Sequence, residues 1–598
     1  MIVTVFAIVI MLPALWHGWV MDDAGFRARF LGTLDVDEAL LNGRTPYSDI
    51  STLGAATANL YSFFGGEKAT EALMDYGTLP WWASPDLKIS FWRPVTAFTI
   101  WLDYQLFPDS GPLQHLHSIL WFALAVLLLA YFYRRLVGPV WIASLAVFVY
   151  ALDDCNYLPA AFLAQRNSVI ALVFCLLTLL MHDRWRRDNS RAAAFLAVPL
   201  LALSLLSAEA GIATMAYLVA YAMMLDAGKW RHRLLSLTPY IATVVVWRII
   251  YRSLEYGTLG SGMYIDPASE PWRFIEAAAE RGPILLFTQL MGSSADMYYF
   301  FNHTFRLGLL VFSAAMLVAL LLVLLPLLRK NRQARFFLLG MLLATVPICA
   351  TIASNRNLMF VGIGAMGLVA LFLGAFAGRY SYLPARRLWR VGAWLFCILF
   401  VLNHLIAAGA VHLAAPWMYQ RFGATSKIAS DIPCPPEVRK QDLVVVNSPS
   451  PLMMMGIPVV NALEDRPSPR SIRCLAPAFG SLEAERIDET SLVIRAVGRN
   501  LLFSNKHKQF IVHPVYFLEE FNTILRAPQL RFTDEWCMQL PGMSARVIRL
   551  DEHSMPVEVR FTFAVPLEDP SLRWVRFDVD GRRYVPFKPP AIGHVAEL

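Results

Sequence analysis

The chain has 598 residues, 57% of them hydrophobic and 16% charged, where soluble domains carry roughly 45–50% apolar and about 25% charged residues. The excess sits in blocks long enough to cross a hydrocarbon core, which takes roughly 20 helical residues, so a wholly soluble protein is excluded. The net charge of +7 comes from Lys and Arg clustered in short loops between those blocks, where membrane topology places them, and no nucleic-acid partner is implied.

The expected fold class is a polytopic α-helical membrane protein with about eleven spans and a soluble C-terminal domain, β-rich or α/β. In chain order the spans are expected at 2–20, 114–133, 139–152, 167–182, 192–207, 211–226, 234–251, 306–328, 336–353, 358–378 and 391–413. The first stretch has no basic n-region and no small-residue cleavage site, so it reads as a retained helix rather than a removed signal peptide. Five basic clusters should be cytoplasmic: Arg134-Arg135, Arg184 to Arg191, Lys229 to Arg233, Arg329 to Arg335 and Arg379 to Arg390. They agree only if 281–300, with Gly292, Asp296 and two tyrosines, lies at the interface or re-enters. The N-terminus is then cytoplasmic and the C-terminal domain extracytoplasmic.

The expected domains are a membrane domain, 1–414, with a long first outer loop, 21–113, that contains interfacial helices, and an extracytoplasmic domain, 420–598. The tail has period-two runs rich in Val, Ile and Phe at Asp442 to Asn447, Ser491 to Ala496, Gln509 to Val512, Pro556 to Val565 and Arg573 to Val585. Asp580-Gly581 signals a hairpin within the last of them. Seven cysteines show no metal spacing; Cys434 and Cys474 could pair in a disulfide-permissive compartment.

This threading gathers five pieces on the outer face: 21–113, 153–166, the turn near 207–210, 252–305 and 354–357. Asp22-Asp23 closes the first span. Adjacent carboxylates there can act as a general base, hold a divalent cation, or simply solvate a helix end. Arg93 in Phe-Trp-Arg-Pro, with Trp81-Trp82 upstream and Trp101, Asp103 and Tyr104 downstream, suits an interfacial helix that either contacts a lipid phosphate or only anchors the chain. His115 and His117 open the second span; their i, i+2 spacing puts them on different faces, against a shared metal. Asp153-Asp154 and Gln165-Arg166-Asn167 bracket the second outer turn, and Arg166 could pair with Asp22 or Asp23. Glu209 lies between two apolar blocks with almost no loop, a position where carboxylates are costly and paired. Arg356 in Ser-Asn-Arg-Asn is similar. No Gly-rich phosphate loop, GxSxG elbow or HExxH motif is present.

Together these passages resemble the GT-C superfamily of membrane glycosyltransferases, over about 1–414. They are Asp22-Asp23 in a long first outer loop; Phe91-Trp92-Arg93-Pro94 through Trp101-Leu102-Asp103-Tyr104, then Gln114-His115-Leu116-His117 and a span ending in Arg134-Arg135; Leu205-Leu206-Ser207-Ala208-Glu209; and Asn355-Arg356-Asn357-Leu358-Met359 with Gly362 and Gly364. The order is similar to that of the transmembrane-and-tetratricopeptide-repeat O-mannosyltransferases and their bacterial relatives. Ala208 stands where that group has lysine and Asn357 where it has tyrosine. The repeat domain is missing, so neither mannose nor the acceptor class carries over.

The resemblance implies transfer of a sugar from a polyprenyl-phosphate donor to a lipid, glycan or protein acceptor outside the cytoplasm, by an integral protein of a bacterial inner membrane in contact with membrane lipids. Asp22, Asp23 and Glu209 are the expected catalytic residues. Arg93, Arg166 and Arg356 are the expected phosphate ligands, and Tyr104, His115, His117, Asp153 and Asp154 the expected substrate contacts. A divalent cation, if used, is expected at Asp22 and Asp23. A transporter or flippase of a lipid-linked saccharide would instead show charges deep within spans, and a non-catalytic envelope scaffold would lack converging Arg and Asp side chains.

Overall fold

The computed structural model describes residues 2–598 apart from 293, 301–302, 379, 381–382, 479–480, 503–520 and 528. The expected run Gln509 to Val512 lies outside the described residues.

Six helices are long and apolar enough to cross a membrane: Gly111–Leu136, Leu163–Asp188, Trp230–Ser253, Thr304–Lys330, Met359–Ala377 and Arg387–Ser430. Four shorter apolar helices accompany them in the first half: Ile2–Trp16, Val140–Leu152, Arg191–Ser207 and Glu209–Met224. Segment 281–291, expected to lie at the interface or re-enter, is the end of a 21-residue helix, Pro271–Met291. Arg273, Glu276, Glu280 and Arg281 in that helix explain why it is not among the six. Helix starts follow local chemistry. Ser110, Ser190 and Asn331 each accept a backbone N–H from the first turn of the helix they precede, satisfying donors that have no partner within the helix. Arg134 and Arg135 close Gly111–Leu136, where cations meet the negative end of the helix dipole. The boundary expected at 414–420 falls inside the continuous helix 387–430, which widens to a π-turn at Leu402–Ala407.

A small three-stranded sheet joins β1 (Ser62–Gly65), β2 (Lys88–Ser90) and β3 (Gly257–Leu259). The tail holds two further sheets. One is formed by β4 (Asp442–Ser448), β5 (Ser471–Pro477), β11 (Leu572–Asp578) and β12 (Arg583–Pro586), in the order β12-β11-β4-β5. The β4–β5 pair is parallel and therefore needs a crossover, supplied by the helix Gly456–Leu463. The other sheet is antiparallel, ordered β13-β6-β7-β10-β9-β8. It consists of β6 (Leu482–Arg486), β7 (Ser491–Ala496), β8 (Cys537–Leu540), β9 (Met543–Leu550), β10 (Pro556–Phe563) and β13 (Val595–Glu597). The β11–β12 hairpin closes on Asp578 and Arg583, and Arg582 rather than Gly581 takes the positive φ. Cys434 and Cys474 are buried free thiols, so the expected disulfide is not formed.

The first outer loop and the tail share one hydrophobic core. Trp81 and Trp82, expected at the headgroup level, are buried there at 1% and 3% exposure. Trp81 Nε1 donates to Leu475 O at 3.0 Å and Arg526 donates to Trp82 O at 3.1 Å. Burial in tail protein, rather than an interface with lipid, is what gives this pair its dry surroundings. At Gly77, φ is +95° and an added Cβ would sit 1.4 Å from Ile472 O on β5. Gly77→Ala is therefore expected to cost more than about 1–3 kcal/mol, the usual penalty for such backbone strain alone, and to loosen the loop from the tail. Faster proteolysis at 78–90 in membranes would register this.

Candidate active site

The strand β2 leads directly into Phe91-Trp92-Arg93 and the helix Pro94–Leu106. That helix is tied by Thr96 Oγ1 to Ser207 O at 2.8 Å, which brings Arg93 to Glu209. Arg93 Nε donates to Glu209 Oε2 at 2.8 Å, and the guanidinium stacks over Phe91 and Tyr61 at 4.3 and 4.8 Å. Tyr251 donates to the other Glu209 oxygen at 3.2 Å. Glu209 thus fixes the orientation of Arg93, whose two terminal nitrogens have no hydrogen-bond partner among the described residues.

Asp22 and Asp23 open the helix Asp22–Phe30, anchored by Arg27, which stacks on Trp19 at 4.0 Å and bonds Pro108 O and Asp109. The residue before them, Met21, has φ 51° and ψ −114°, a conformation that L residues rarely adopt and that recurs at functional sites. The two carboxylates differ. Asp23 is fully buried, and its oxygens accept from Leu163 N at 3.3 Å and Ala164 N at 2.8 Å. Asp22 is half-buried and has no hydrogen-bond or ion-pair partner within the described residues. Burial raises its pKa, while the charges of Arg356, Arg29 and Arg93 oppose the rise. Arg29 donates to three backbone carbonyls, Ser48, Asn59 and Leu60, and burial pushes its pKa down to about 9.

Arg356 sits in the 3-10 turn Asn355–Asn357. Asn355 Nδ2 donates to Asp154 Oδ2 at 3.0 Å and its Oδ1 accepts from Ala295 N at 2.8 Å; Asn357 donates to Ile352 O at 2.9 Å. Both neighbours are tethered, while Arg356 has no ion-pair partner among the described residues. Its charge is nevertheless the largest opposing burial at Asp22. Asp22, Arg356, Arg93 and Glu209 therefore form one electrostatically connected group drawn from four distant segments.

The remaining expected residues are committed to other partners. Arg166 is 0% exposed and all its nitrogens are engaged: with Asp103 at 2.6 Å, Ser118 Oγ and Gln114 O at 2.8 Å, His117 Nδ1 at 3.3 Å and Thr99 O at 3.5 Å. Its charge partner is Asp103, not Asp22 or Asp23. His117 Nδ1 bonds Asp103 at 2.6 Å, and Trp121 Nε1 donates to His117 Nε2 at 3.0 Å. His115 bonds Gly18 O at 2.9 Å. Tyr104 is buried and stacked on Phe30 at 4.2 Å. These residues knit the helix ends around them together. Removing one partner of a buried pair leaves an uncompensated charge worth about 3–5 kcal/mol. Arg166→Met is thus expected to lower the melting temperature sharply, and Asp103→Leu in the same chain to restore part of it.

Asp153, Asp154 and Cys155 present ligand atoms within 4.8 Å of one another. Asp153 accepts from Gln289 Nε2 at 2.7 Å. Burial raises the pKa of both carboxyls, so a cation would find two carboxylates that gain from neutralisation. Burial and the neighbouring carboxylates push the Cys155 thiol up, so a borderline divalent ion bound to two oxygens and this sulfur would have to displace its proton. At the position expected for a cation, backbone N–H groups already occupy Asp23. Cys155 and Gln289 escaped sequence reading, and Asn355 was read only as part of the Asn-Arg-Asn passage; Gln289, a polar side chain within an apolar helical stretch, is the one that carried a further signal.

No protein-family model matches the chain, and no curated protein does. Among solved structures it is similar to the Archaeoglobus fulgidus oligosaccharyltransferase in complex with Zn and sulfate, at 12% identity over 80% of this chain with a TM-score of 0.36. It is also similar to that enzyme tethered by a disulfide to an acceptor peptide containing the NVT sequon, at 13% identity over 80% of this chain with a TM-score of 0.37. The chain spans 62% and 64% of the length of those two chains.

Proposed function

We propose that the chain is a membrane glycosyltransferase of the GT-C type, moving a sugar from a polyprenyl-phosphate donor to an acceptor hydroxyl on the extracytoplasmic side. The observation that carries this reading is an Asp22 carboxylate and an Arg356 guanidinium that are unpaired among the described residues, with the Arg356 charge acting on Asp22, beside an Arg93 held in place by Glu209. A base and two oriented cations are what the displacement of a phosphate from an anomeric carbon requires. Asp22 takes the proton of the acceptor hydroxyl. The acceptor oxygen bonds to the anomeric carbon as the carbon–oxygen bond to phosphate breaks, and the departing electron pair stays on the phosphate. Arg356 and Arg93 stabilise that charge, usually the largest catalytic term. One displacement inverts the anomeric centre. Asp153, Asp154 and Cys155 would hold a divalent cation, which supplies further positive charge when bound.

Purified protein in lipid nanodiscs, given radiolabelled polyprenyl-phosphate hexoses and membrane-extracted acceptors, is expected to transfer label. The reading fails if the folded protein neither transfers sugar nor binds any polyprenyl phosphate.

A further inference from the structure

A cleft of about 520 Å³ lies between the first outer loop and the tail, lined by Thr33, Asp35, Arg439, Asp465, Arg466 and Pro467 among others. Its size falls within the roughly 300–1,000 Å³ of small-molecule sites. The position follows from packing. The helix Asp22–Phe30 lies against Gly456–Leu463 of the tail, and the cleft opens where both helices end, at Thr33 on one side and Ala462 to Pro467 on the other. A helix of that length spans about 12 Å, so Asp22 and the cleft occupy opposite ends of one rigid rod.

The lining selects a class of ligand. Asp35 and Asp465 balance Arg439 and Arg466, so the walls carry no net charge to attract a phosphate or a polycation. The lining residues named include no aromatic or large aliphatic side chain, so an apolar ligand gains little. What remains is a dense set of carboxylate acceptors and guanidinium donors, matched to a neutral ligand rich in hydroxyls. Several of these groups are available. Asp465, at φ 53°, has no hydrogen-bond or ion-pair partner among the described residues. Arg466 is held by Asp431 at 2.7 Å and Glu464 at 3.2 Å, which fixes its guanidinium at the cleft wall. Asp35 and Arg439 meet at 3.1 Å, with side chains 49% and 65% exposed, so a ligand can exchange with that pair at little cost.

We infer that this cleft binds a neutral sugar unit of a glycan acceptor, holding it at the far end of the Asp22–Phe30 helix while another part of the same glycan reaches Asp22. The assignment to an acceptor rests on the transferase reading; the sugar site itself does not. A bound glycan must then extend well beyond one monosaccharide.

The test is saturation-transfer difference NMR on the full chain in nanodiscs, with glucose, mannose, galactose, N-acetylglucosamine and their disaccharides as probes, and inorganic phosphate and an acidic peptide as competitors. At least one sugar is expected to bind. Arg439→Ala/Asp465→Asn, both at the surface, should weaken it about tenfold or more with an unchanged melting curve, while Asp22→Asn leaves binding intact. Absence of sugar binding, displacement by phosphate or peptide, or binding indifferent to the double variant overturns the inference. If transfer activity is absent but sugar binding is lost in the double variant, the cleft stands as a sugar site and only the transferase reading falls.

Discussion

Asp22→Asn is expected to reduce sugar transfer by about 10²–10⁴-fold, the usual contribution of a general base, with little change in expression or melting temperature. The isostere keeps the shape of the side chain and loses only its capacity to take a proton, and no hydrogen bond among the described residues depends on its charge. Burial raises the pKa of Asp22, which strengthens it as a base near neutral pH. Asp23→Asn supplies the contrast. Its oxygens receive two backbone N–H groups from 163–164, and an amide can face at least one of them only with its NH₂, leaving a buried donor unmet at about 1–3 kcal/mol. That variant should lose thermal stability first, and activity in proportion to the folded fraction. Equal catalytic loss in both variants at full folding would remove the division of labour between the two carboxylates.

That division was not legible in the sequence, where Asp22 and Asp23 are interchangeable neighbours at the end of an apolar block. Residue type and apolar membrane-length blocks can be read from the sequence; the azimuth of each helix cannot. Arg166 shows the consequence. Its position at a helix entrance is evident, but its partner Asp103 lies 63 residues upstream on a different helix. The Asn355–Asp154 bond joins residues 201 apart. Glu209 was readable because a carboxylate between two apolar segments demands a partner, although only packing identifies that partner as Arg93.

In the tail, local pattern was enough for β4, β7, β10, β11 and β12, but not for β5, β6, β8, β9 and β13 or for the assembly of the sheets. Ser491–Ala496 is β7 at the expected ends, and the last period-two run folds back as β11 and β12. Trp81 and Trp82 misled because a tryptophan pair beside an amphipathic helix has the same composition whether it meets headgroups or a protein core. Their burial against β5 and the neighbourhood of Phe532, Trp536 and Phe561 makes the first outer loop part of the tail's core. The helix that carries Asp22 is thereby braced by the tail as well as by the helices of the membrane region.

Arg356→Gln should expose the second half of the mechanism, with kcat/KM falling about 10²–10³-fold, the range for removing one donor to a developing oxyanion. The same variant carries a second signature that a purely structural role would not produce. Asp22 must be ionised to accept a proton, so activity is lost as pH falls through its pKa. Burial raises that pKa and the Arg356 charge is the first of those pulling it back. Neutralising Arg356 leaves burial less opposed, the pKa rises further, and the acid limb of the pH–rate profile moves to higher pH. Arg356→Lys separates the two effects. It keeps the positive charge and so should hold the limb near its wild-type position, but it lacks the planar fork that grips phosphate oxygens in pairs and should restore only part of the rate. Profiles of kcat/KM against pH for the three proteins decide the matter: an acid limb that stays fixed in the glutamine variant would mean that Arg356 and Asp22 do not share a site.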